Sequence, residues 1–121
     1  MRRKREPLED PVARLRAICL ALPESTERET FGGPTFRVRE KIFAMETGRD
    51  GFPAVWCKAP PGSQAVLVGA DPYRFFVPPY VGPKGWIGMR LDEAPDWDEV
   101  AAIVRRSYRL IAPRKLAKLT E

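Results

Sequence analysis

Residues 32–46, with the sequence GGPTFRVREKIFAME, decide the fold because they encode two strands joined by a tight reversal. Residues 35–39 and 41–46 carry the β-branched and aromatic side chains typical of strands, and Glu40 between them allows the chain to turn. The glycines and the proline that come first set the initial turn, since glycine tolerates a positive φ and proline fixes its own φ. This stretch predicts an antiparallel hairpin on which a larger sheet can form.

Helices are predicted at both ends of the chain. Asp10 is a suitable N-cap and Pro11 suits the first helical position, and apolar residues then recur at helical spacing until Pro23. Near the C-terminus, Asp96 and Glu99 have the spacing of a capping box, and the apolar residues that follow form one face. The acidic start and the arginines near the end of this second helix complement its dipole.

Three more strands are predicted between the helices, over residues 54–59, 74–77 and 86–91. Residues 64–69 could form either a strand or a short helix. Their valines favour a strand, whereas Ser63 before them suits the start of a helix. Three carboxylates are predicted to lie in a polar loop after the first helix, namely Glu24, Glu27 and Glu29.

The length of 121 residues, 44% of them apolar, is enough for one core. We predict a flexible basic arm over residues 1–10, one domain over residues 11–112 and a basic tail over residues 113–121. The domain is predicted to be α+β, with helices packed on one face of a single antiparallel sheet. Neither a membrane span nor a signal peptide is evident, so we expect the protein in the cytoplasm, where Cys19 and Cys57 would be reduced core thiols. We also expect a monomer.

Charge is distributed unevenly along the chain, although the net charge is only +5. Residues 1–16 carry a net charge of +3 and residues 105–121 a net charge of +5, whereas the residues between them carry −3. The basic character is therefore concentrated at the two ends. Any surface for nucleic acid must be local and cannot be one large basic face.

The side chains needed for common catalytic and metal chemistry are missing or scattered. The sequence has no His, its two Cys are far apart, and no Walker-type phosphate loop is present. The acidic residues show no spacing typical of a metal loop or an acid/base pair. We therefore predict a protein that is not an enzyme and that uses neither a cofactor nor a metal.

Seven short motifs, taken together and in this order, resemble the MmcQ/YjbR-like family between about residues 16 and 108. The resemblance implies an α-β(3)-α-β(2)-α two-layer fold, with residues 63–70 as the middle helix, and a DNA-binding role through a double wing of hairpins. Many members have Tyr-x-Asn-Lys-x-His-Trp where residues 80–86 read YVGPKGW, so the Asn and the His are replaced here. The motifs are Gly32-Gly33-Pro34-Thr35-Phe36, Lys41-Ile42-Phe43-Ala44, Trp56-Cys57-Lys58, Asp71-Pro72 with Phe75-Phe76, Tyr80-Val81-Gly82, Gly85-Trp86-Ile87-Gly88 and Ser107-Tyr108.

The first functional hypothesis is weak, largely sequence-independent DNA binding from the two hairpins. Arg37 and Arg39 alternate along a strand, so they are expected to project from one face. Trp86 is either a base-stacking platform or a core anchor. The residues predicted to contact nucleic acid are Arg37, Arg39, Lys41, Lys84, Trp86 and Arg90.

The second hypothesis is a small-ligand or protein-partner module with a groove between the sheet and the loop at residues 78–86. Its candidate residues are Lys58, Tyr80 and Trp86. Lys58 shares a strand face with an aromatic residue, and it is either a ligand contact or a structural lysine with its amine in water. This hypothesis predicts a concave aromatic pocket with positive charge at its mouth.

Overall fold

The computed structural model describes residues 10–47 and 51–121, so the predicted basic arm lies outside the described residues except for Asp10. The helices are α1 (Pro11–Leu20), α2 (Ser63–Ala70), α3 (Trp97–Ile111) and α4 (Arg114–Lys118). The strands are β1 (Ser25–Thr30), β2 (Gly33–Val38), β3 (Lys41–Met45), β4 (Ala54–Lys58), β5 (Phe75–Phe76) and β6 (Trp86–Arg90), and a 3₁₀ turn spans Gly82–Lys84.

The six strands form one antiparallel sheet in the order β1-β2-β3-β4-β6-β5. Helix α3 lies across β3 and β4, and α1 packs against α3 and β1. All four helices contribute side chains to the same core, for example Leu15 from α1 and Val100 from α3. The predicted α+β fold, with helices on one antiparallel sheet, is confirmed.

The polar segment after α1 is a strand, and the prediction of a loop there was wrong. Ser25–Thr30 pairs along its whole length with β2. The sequence STERET contains no apolar residue, so the alternation that marks a half-buried strand is absent. Backbone pairing is supplemented by ion pairs of Arg16 with Glu27 at 2.8 Å and of Arg28 with Glu40 at 3.1 Å. Four strands therefore precede α2, where three were expected.

The ambiguous segment at residues 64–69 is helical, as the family resemblance implies. Gly62 begins α2 with a φ of +87°, a conformation that glycine adopts without steric cost. Leu67 and Val68 are partly buried against the core and form the packed side of this short helix, whereas Val66 is exposed. The strand predicted over residues 74–77 is shorter, and only Phe75–Phe76 pairs with β6.

Both predicted helix starts are confirmed by N-cap hydrogen bonds. The carboxylate of Asp10 accepts the backbone N–H groups two and three residues later, at 3.1 and 3.3 Å. Asp96 does the same for α3, at 3.0 and 3.3 Å. The carboxylate of Glu99, which a capping box would turn back to Asp96, pairs with Arg74 instead.

The basic segment at residues 113–121 includes a helix that the sequence did not predict. In α4, Leu116 is only 5% exposed and belongs to the core. Arg109 in α3 donates to the hydroxyl of Thr120 at 2.7 Å and also to its carbonyl oxygen. A helix of five residues is too short to show an apolar repeat in the sequence.

Both cysteines are buried thiols without a disulfide, as predicted. Burial raises the pKa of Cys57 to about 12 and also raises the pKa of Cys19 well above its ordinary value. Both side chains therefore act as small apolar groups in the core, since the reactive thiolate does not form near neutral pH.

The hydroxyl of Ser107 joins α3 to the sheet at the point where β3 and β4 diverge. The ladder between these strands has only two residue pairs. The fully buried Ser107 hydroxyl donates to the carbonyl oxygen of Phe43 at 2.6 Å and accepts the N–H of Lys58 at 2.9 Å. A helix side chain thus satisfies two strand groups that would otherwise lack a partner inside the protein.

Removing this hydroxyl is expected to destabilise the fold strongly. Ser107→Ala leaves a buried N–H and a buried carbonyl unsatisfied, which predicts a loss of about 2–4 kcal/mol in the free energy of unfolding. Denaturant unfolding measures the loss, and Arg106→Ala, at the exposed neighbouring position, should change stability by less than about 0.5 kcal/mol. Equal stability of the two variants would contradict this role for Ser107.

Candidate functional site

Strand alternation divides the sheet into a face that the helices cover and an opposite face, which we call the open face. In β4, Val55 and Cys57 belong to the helix-covered core, so Trp56 between them points to the open face. Pairing places Met45 beside Trp56. Together with Trp86 these two side chains form a second buried apolar cluster, separate from the main core.

An apolar pocket of about 410 Å³ lies on the open face, above this cluster. Its floor is formed by Met45 and Trp56, which are 5% and 4% exposed. Its walls come from two different turns, and their aromatic side chains Phe31 and Tyr80 are 70% and 79% exposed. The described residues that line it are Phe31, Met45, Thr47, Trp56, Pro79, Tyr80 and Val81.

The wall that carries Tyr80 is held by a dense set of backbone hydrogen bonds. Gly82 donates to the carbonyl of Pro78 at 3.0 Å, and the side-chain amide of Gln64 in α2 donates to the carbonyls of Gly82 and Trp86 at 2.9 and 2.7 Å. A Cβ on Gly82 would lie 2.5 Å from a methyl group of Val77, so a larger residue at the position where the family motif has Asn would require the Val77 side chain to move. The hydrogen bonds therefore make the loop a fixed wall, and glycine at position 82 suits its packing.

Both aromatic walls stand on residues with left-handed backbone conformations. Phe31 has a φ of 59° in the two-residue turn between β1 and β2, and Tyr80 has a φ of 69°. This conformation costs a residue with a Cβ roughly 1–2 kcal/mol, and Gly or Asn is the usual occupant. Among the seven described non-glycine residues with positive φ, only these two are aromatic, and both line the pocket.

Arg37 lies on the open face beside the pocket. Its Nε donates to the hydroxyl of Thr35 at 3.4 Å and its Nη2 to the hydroxyl of Thr30 at 3.3 Å. Thr35 is the cross-strand partner of Met45 in the pocket floor, and Thr30 immediately precedes Phe31 in the wall. Within residues 10–47 and 51–121, no carboxylate lies within 4.0 Å of Arg37.

Two other arginines that were predicted to contact phosphates form ion pairs with carboxylates of the protein. Arg39 lies in the turn after β2 and not in the strand, and it pairs with Glu24 at 2.7 Å, so it does not extend the row begun by Arg37. Arg90 pairs with Asp92 at 2.8 Å. The guanidinium groups lower the pKa of Glu24 and of Asp92 through these hydrogen bonds, as expected for stabilised carboxylates.

The lysines named in the sequence analysis lie towards one end of the sheet but not on one face. Lys41 is the cross-strand partner of the core residue Val38, so it lies on the helix-covered face, whereas Lys58 lies on the open face at the end of β4, where it pairs with Trp86. Lys84 lies two residues before Trp86, whereas Arg90 lies at the opposite end of β6. In the described part of the chain, none of the three lysines has a carboxylate within 4.0 Å.

The residues proposed for a groove at residues 78–86 are only partly brought together. Tyr80 lines the pocket, whereas Lys58 and Trp86 do not. Trp86 is 7% exposed and packs with the floor residues, and the amine of Lys58 belongs to the open face. Sequence reasoning missed Phe31, Met45 and Trp56, although an aromatic residue directly before two glycines was a usable signal.

Within the described residues, no group of three or more His, Cys, Asp or Glu side chains could hold a metal ion. No helix in the same ranges is long and apolar enough to cross a bilayer.

Comparison with known proteins agrees with this architecture. The chain is a two-layer α+β domain with a pocket on the uncovered sheet face, and the YjbR family matches it over residues 20–110. Because that match covers most of the chain, the protein belongs to the YjbR family, and the resemblance found in the sequence is confirmed.

A solved structure and the curated proteins add different information. The fold is similar to the crystal structure of Deinococcus radiodurans protein DR2400, which has a DUF419 domain, with a TM-score of 0.76 and 22% identity. The alignment covers 93% of this chain and 91% of that one. No curated protein matches the chain.

The strained turn at Phe31 yields a prediction about stability. Phe31→Asn creates an Asn-Gly turn, the preferred sequence for a two-residue hairpin with positive φ, and should raise the free energy of unfolding by about 1 kcal/mol. Phe31→Ala keeps a disfavoured residue at this φ and should give no gain. Denaturant unfolding compares the two variants, and equal effects would show that backbone strain is not the cause.

Proposed function

We propose that this YjbR-family chain is a binding protein and not an enzyme, and that its pocket holds an apolar group of a small ligand. The volume of 410 Å³ lies within the range of about 300–1,000 Å³ typical of ligand sites. Among the described residues that line the pocket there is no amine, thiol or carboxylate side chain, and their polar side-chain groups are the hydroxyls of Thr47 and Tyr80. Such a surface suits the stacking of a flat ring better than acid–base chemistry.

One observation carries this proposal. Phe31 and Tyr80 are both exposed, both hold a disfavoured backbone conformation, and both border the same cavity. Exposed aromatic side chains at strained turns reduce stability without contributing much to the core. Strain of this kind persists at sites where geometry serves binding, so the pocket is the feature that explains it.

Titration with the neutral probe 2-(2-naphthyl)ethanol tests the proposal. At about 0.3 kcal/mol for each of its roughly thirteen heavy atoms, a dissociation constant of about 1 mM is expected. Indole N–H signals in ¹H–¹⁵N NMR spectra report the site, because Trp56 lines the pocket whereas Trp97 lies on α3. The Trp56 signal should shift in a saturable manner while the Trp97 signal stays unchanged.

Variants separate the pocket from nonspecific binding of this probe. Phe31→Asn and Tyr80→Asn should each weaken binding at least about threefold by removing an aromatic wall, at a cost typical of lost stacking. Lys115→Gln, on the surface of α4, should bind as the unmodified protein does. Absence of any shift at Trp56, or equal shifts at Trp56 and Trp97, would contradict the proposal.

A second candidate is weak binding of DNA through its phosphates. It is supported by Lys58 and Lys84, which lie at the same end of β4 and β6 without acidic partners in the described ranges, whereas Lys41 lies on the other face of the sheet. Arg39 and Arg90 contribute less to such a surface because each already forms an ion pair. We propose this role in addition to the pocket, because the two sites use different residues.

Fluorescence anisotropy with labelled single- and double-stranded oligonucleotides tests DNA binding. Two phosphate contacts predict a log–log salt slope of about −1.5 to −2, and changing Lys58 or Lys84 to Gln should each reduce that slope by about one, whereas Lys41→Gln should have a smaller effect. All sequences should be affected alike, since phosphates carry no sequence information. Absent binding at low salt, or binding that salt does not change, would reject this candidate.

We also propose that the protein acts as a monomer in the cytoplasm. Its two buried thiols remain unpaired, which suits a reducing compartment. The sheet edges support the monomeric state, because β1 is rich in charged side chains and β5 has only two residues.

A further inference from the structure

We infer that the ligand of the pocket is a small aromatic carboxylic acid, and that its carboxylate binds to the guanidinium group of Arg37. This inference rests on the proposed function and adds the chemical identity of the ligand. It follows from the position, the orientation and the missing acidic partner of one guanidinium group.

The side chain of Arg37 lies close to residues of the pocket. The side chain of Arg37 runs along the open face from β2 towards Thr30, the residue before Phe31. On its way it contacts Thr35, whose cross-strand partner Met45 forms the pocket floor. Paired residues on neighbouring strands lie about 5 Å apart, so Arg37 is held next to residues that adjoin the floor and one wall, although it is not itself among the described residues that line the cavity.

Orientation is the second step. Two threonine hydroxyls hold the guanidinium at 3.3 and 3.4 Å. The hydroxyl of Thr35 is itself fixed, because it donates to the carbonyl oxygen of Arg28 at 2.7 Å. Arginine has five N–H donors, so three remain beyond those two contacts. A long side chain held in place before binding loses less entropy when an anion arrives.

Charge is the third step. Three other arginines of the sheet and its turns are neutralised, Arg28 by Glu40 at 3.1 Å, Arg39 by Glu24 at 2.7 Å and Arg90 by Asp92 at 2.8 Å. Arg37 is only partly exposed and has neutral hydroxyls instead of a carboxylate. Its positive charge is therefore uncompensated in the described part of the chain, next to a cavity.

The ligand class follows from combining the cavity with this charge. The aromatic and apolar lining accepts a flat ring, and the fork of N–H donors on arginine matches the two oxygens of a carboxylate. Because Arg37 lies outside the residues that line the cavity, the acid group must project from the ring towards it on a short linker. Arylacetic acids have this shape.

Three compounds that share one ring test the inference on the unmodified protein: 2-naphthylacetate, 2-(2-naphthyl)ethanol and 2-(2-naphthyl)ethylamine. Dissociation constants from the Trp56 NMR signal should rank acid, alcohol and amine in order of decreasing affinity. A partly exposed ion pair predicts that the acid binds about fivefold more tightly than the alcohol. In Arg37→Gln this advantage should vanish, whereas Lys115→Gln should retain it.

The possible outcomes separate this inference from the pocket proposal. Equal affinities for the three compounds would overturn the role of Arg37 and leave the pocket intact, and no binding of any of them would overturn both. If Lys58→Gln lost the preference for the acid while Arg37→Gln kept it, the carboxylate would bind to Lys58 and not to Arg37. Tighter binding of thymidine monophosphate than of 2-naphthylacetate would replace the carboxylic acid with a nucleotide, which also joins an aromatic ring to an oxyanion.

Discussion

The buried hydroxyl of Ser107 is the contact on which the arrangement of the open face depends. It bridges β3 and β4 where their own ladder ends, with bonds of 2.6 and 2.9 Å. The register between β2 and β3 shifts beside it, so that Phe43 has no partner in β2. Phe43 can then turn inward to meet Tyr108 edge to face at a centroid distance of 5.2 Å, while Met45, two residues later, turns outward. Regular alternation would place both side chains on one face, so the pocket floor requires this bulge.

The open face shows how stability and binding oppose each other in this protein. Glycine stands where a side chain would be crowded, as at Gly88, where a Cβ would lie 2.3 Å from the ring of Phe76. At the two pocket walls the reverse holds, because aromatic residues occupy backbone conformations that suit glycine. Five other described non-glycine residues have positive φ outside this cavity, so the walls are distinguished by their exposed aromatic rings at such positions.

The sequence allowed the main helices and the central strands to be predicted because each carries its own local signal. Capping aspartates marked α1 and α3, and β-forming residues marked β2, β3 and β4. Strand β1 lacked such a signal, since its pairing depends on a neighbour and not on its own apolar residues.

The site was less accessible than the fold to reasoning from sequence. Its floor joins Met45 and Trp56 through strand register, and the ion pair of Arg39 with Glu24 spans fifteen residues, so neither is visible in local spacing. Arg37 and Tyr80 were chosen as candidates from their type and their strand or loop position. Only the folded chain distinguishes an arginine held by threonines from one held by a carboxylate.

The composition of β1 has a consequence for motion. This outer strand buries almost no apolar surface, so it can separate from β2 without exposing the core to water. Such local opening costs only a small fraction of the free energy of complete unfolding. Its backbone amides should therefore exchange with solvent through local opening long before those of β4 and β6. Phe31 lies at the tip of that hairpin, so one wall of the cavity is carried by an outer strand that is held mainly by backbone pairing, whereas the opposite wall is anchored to α2.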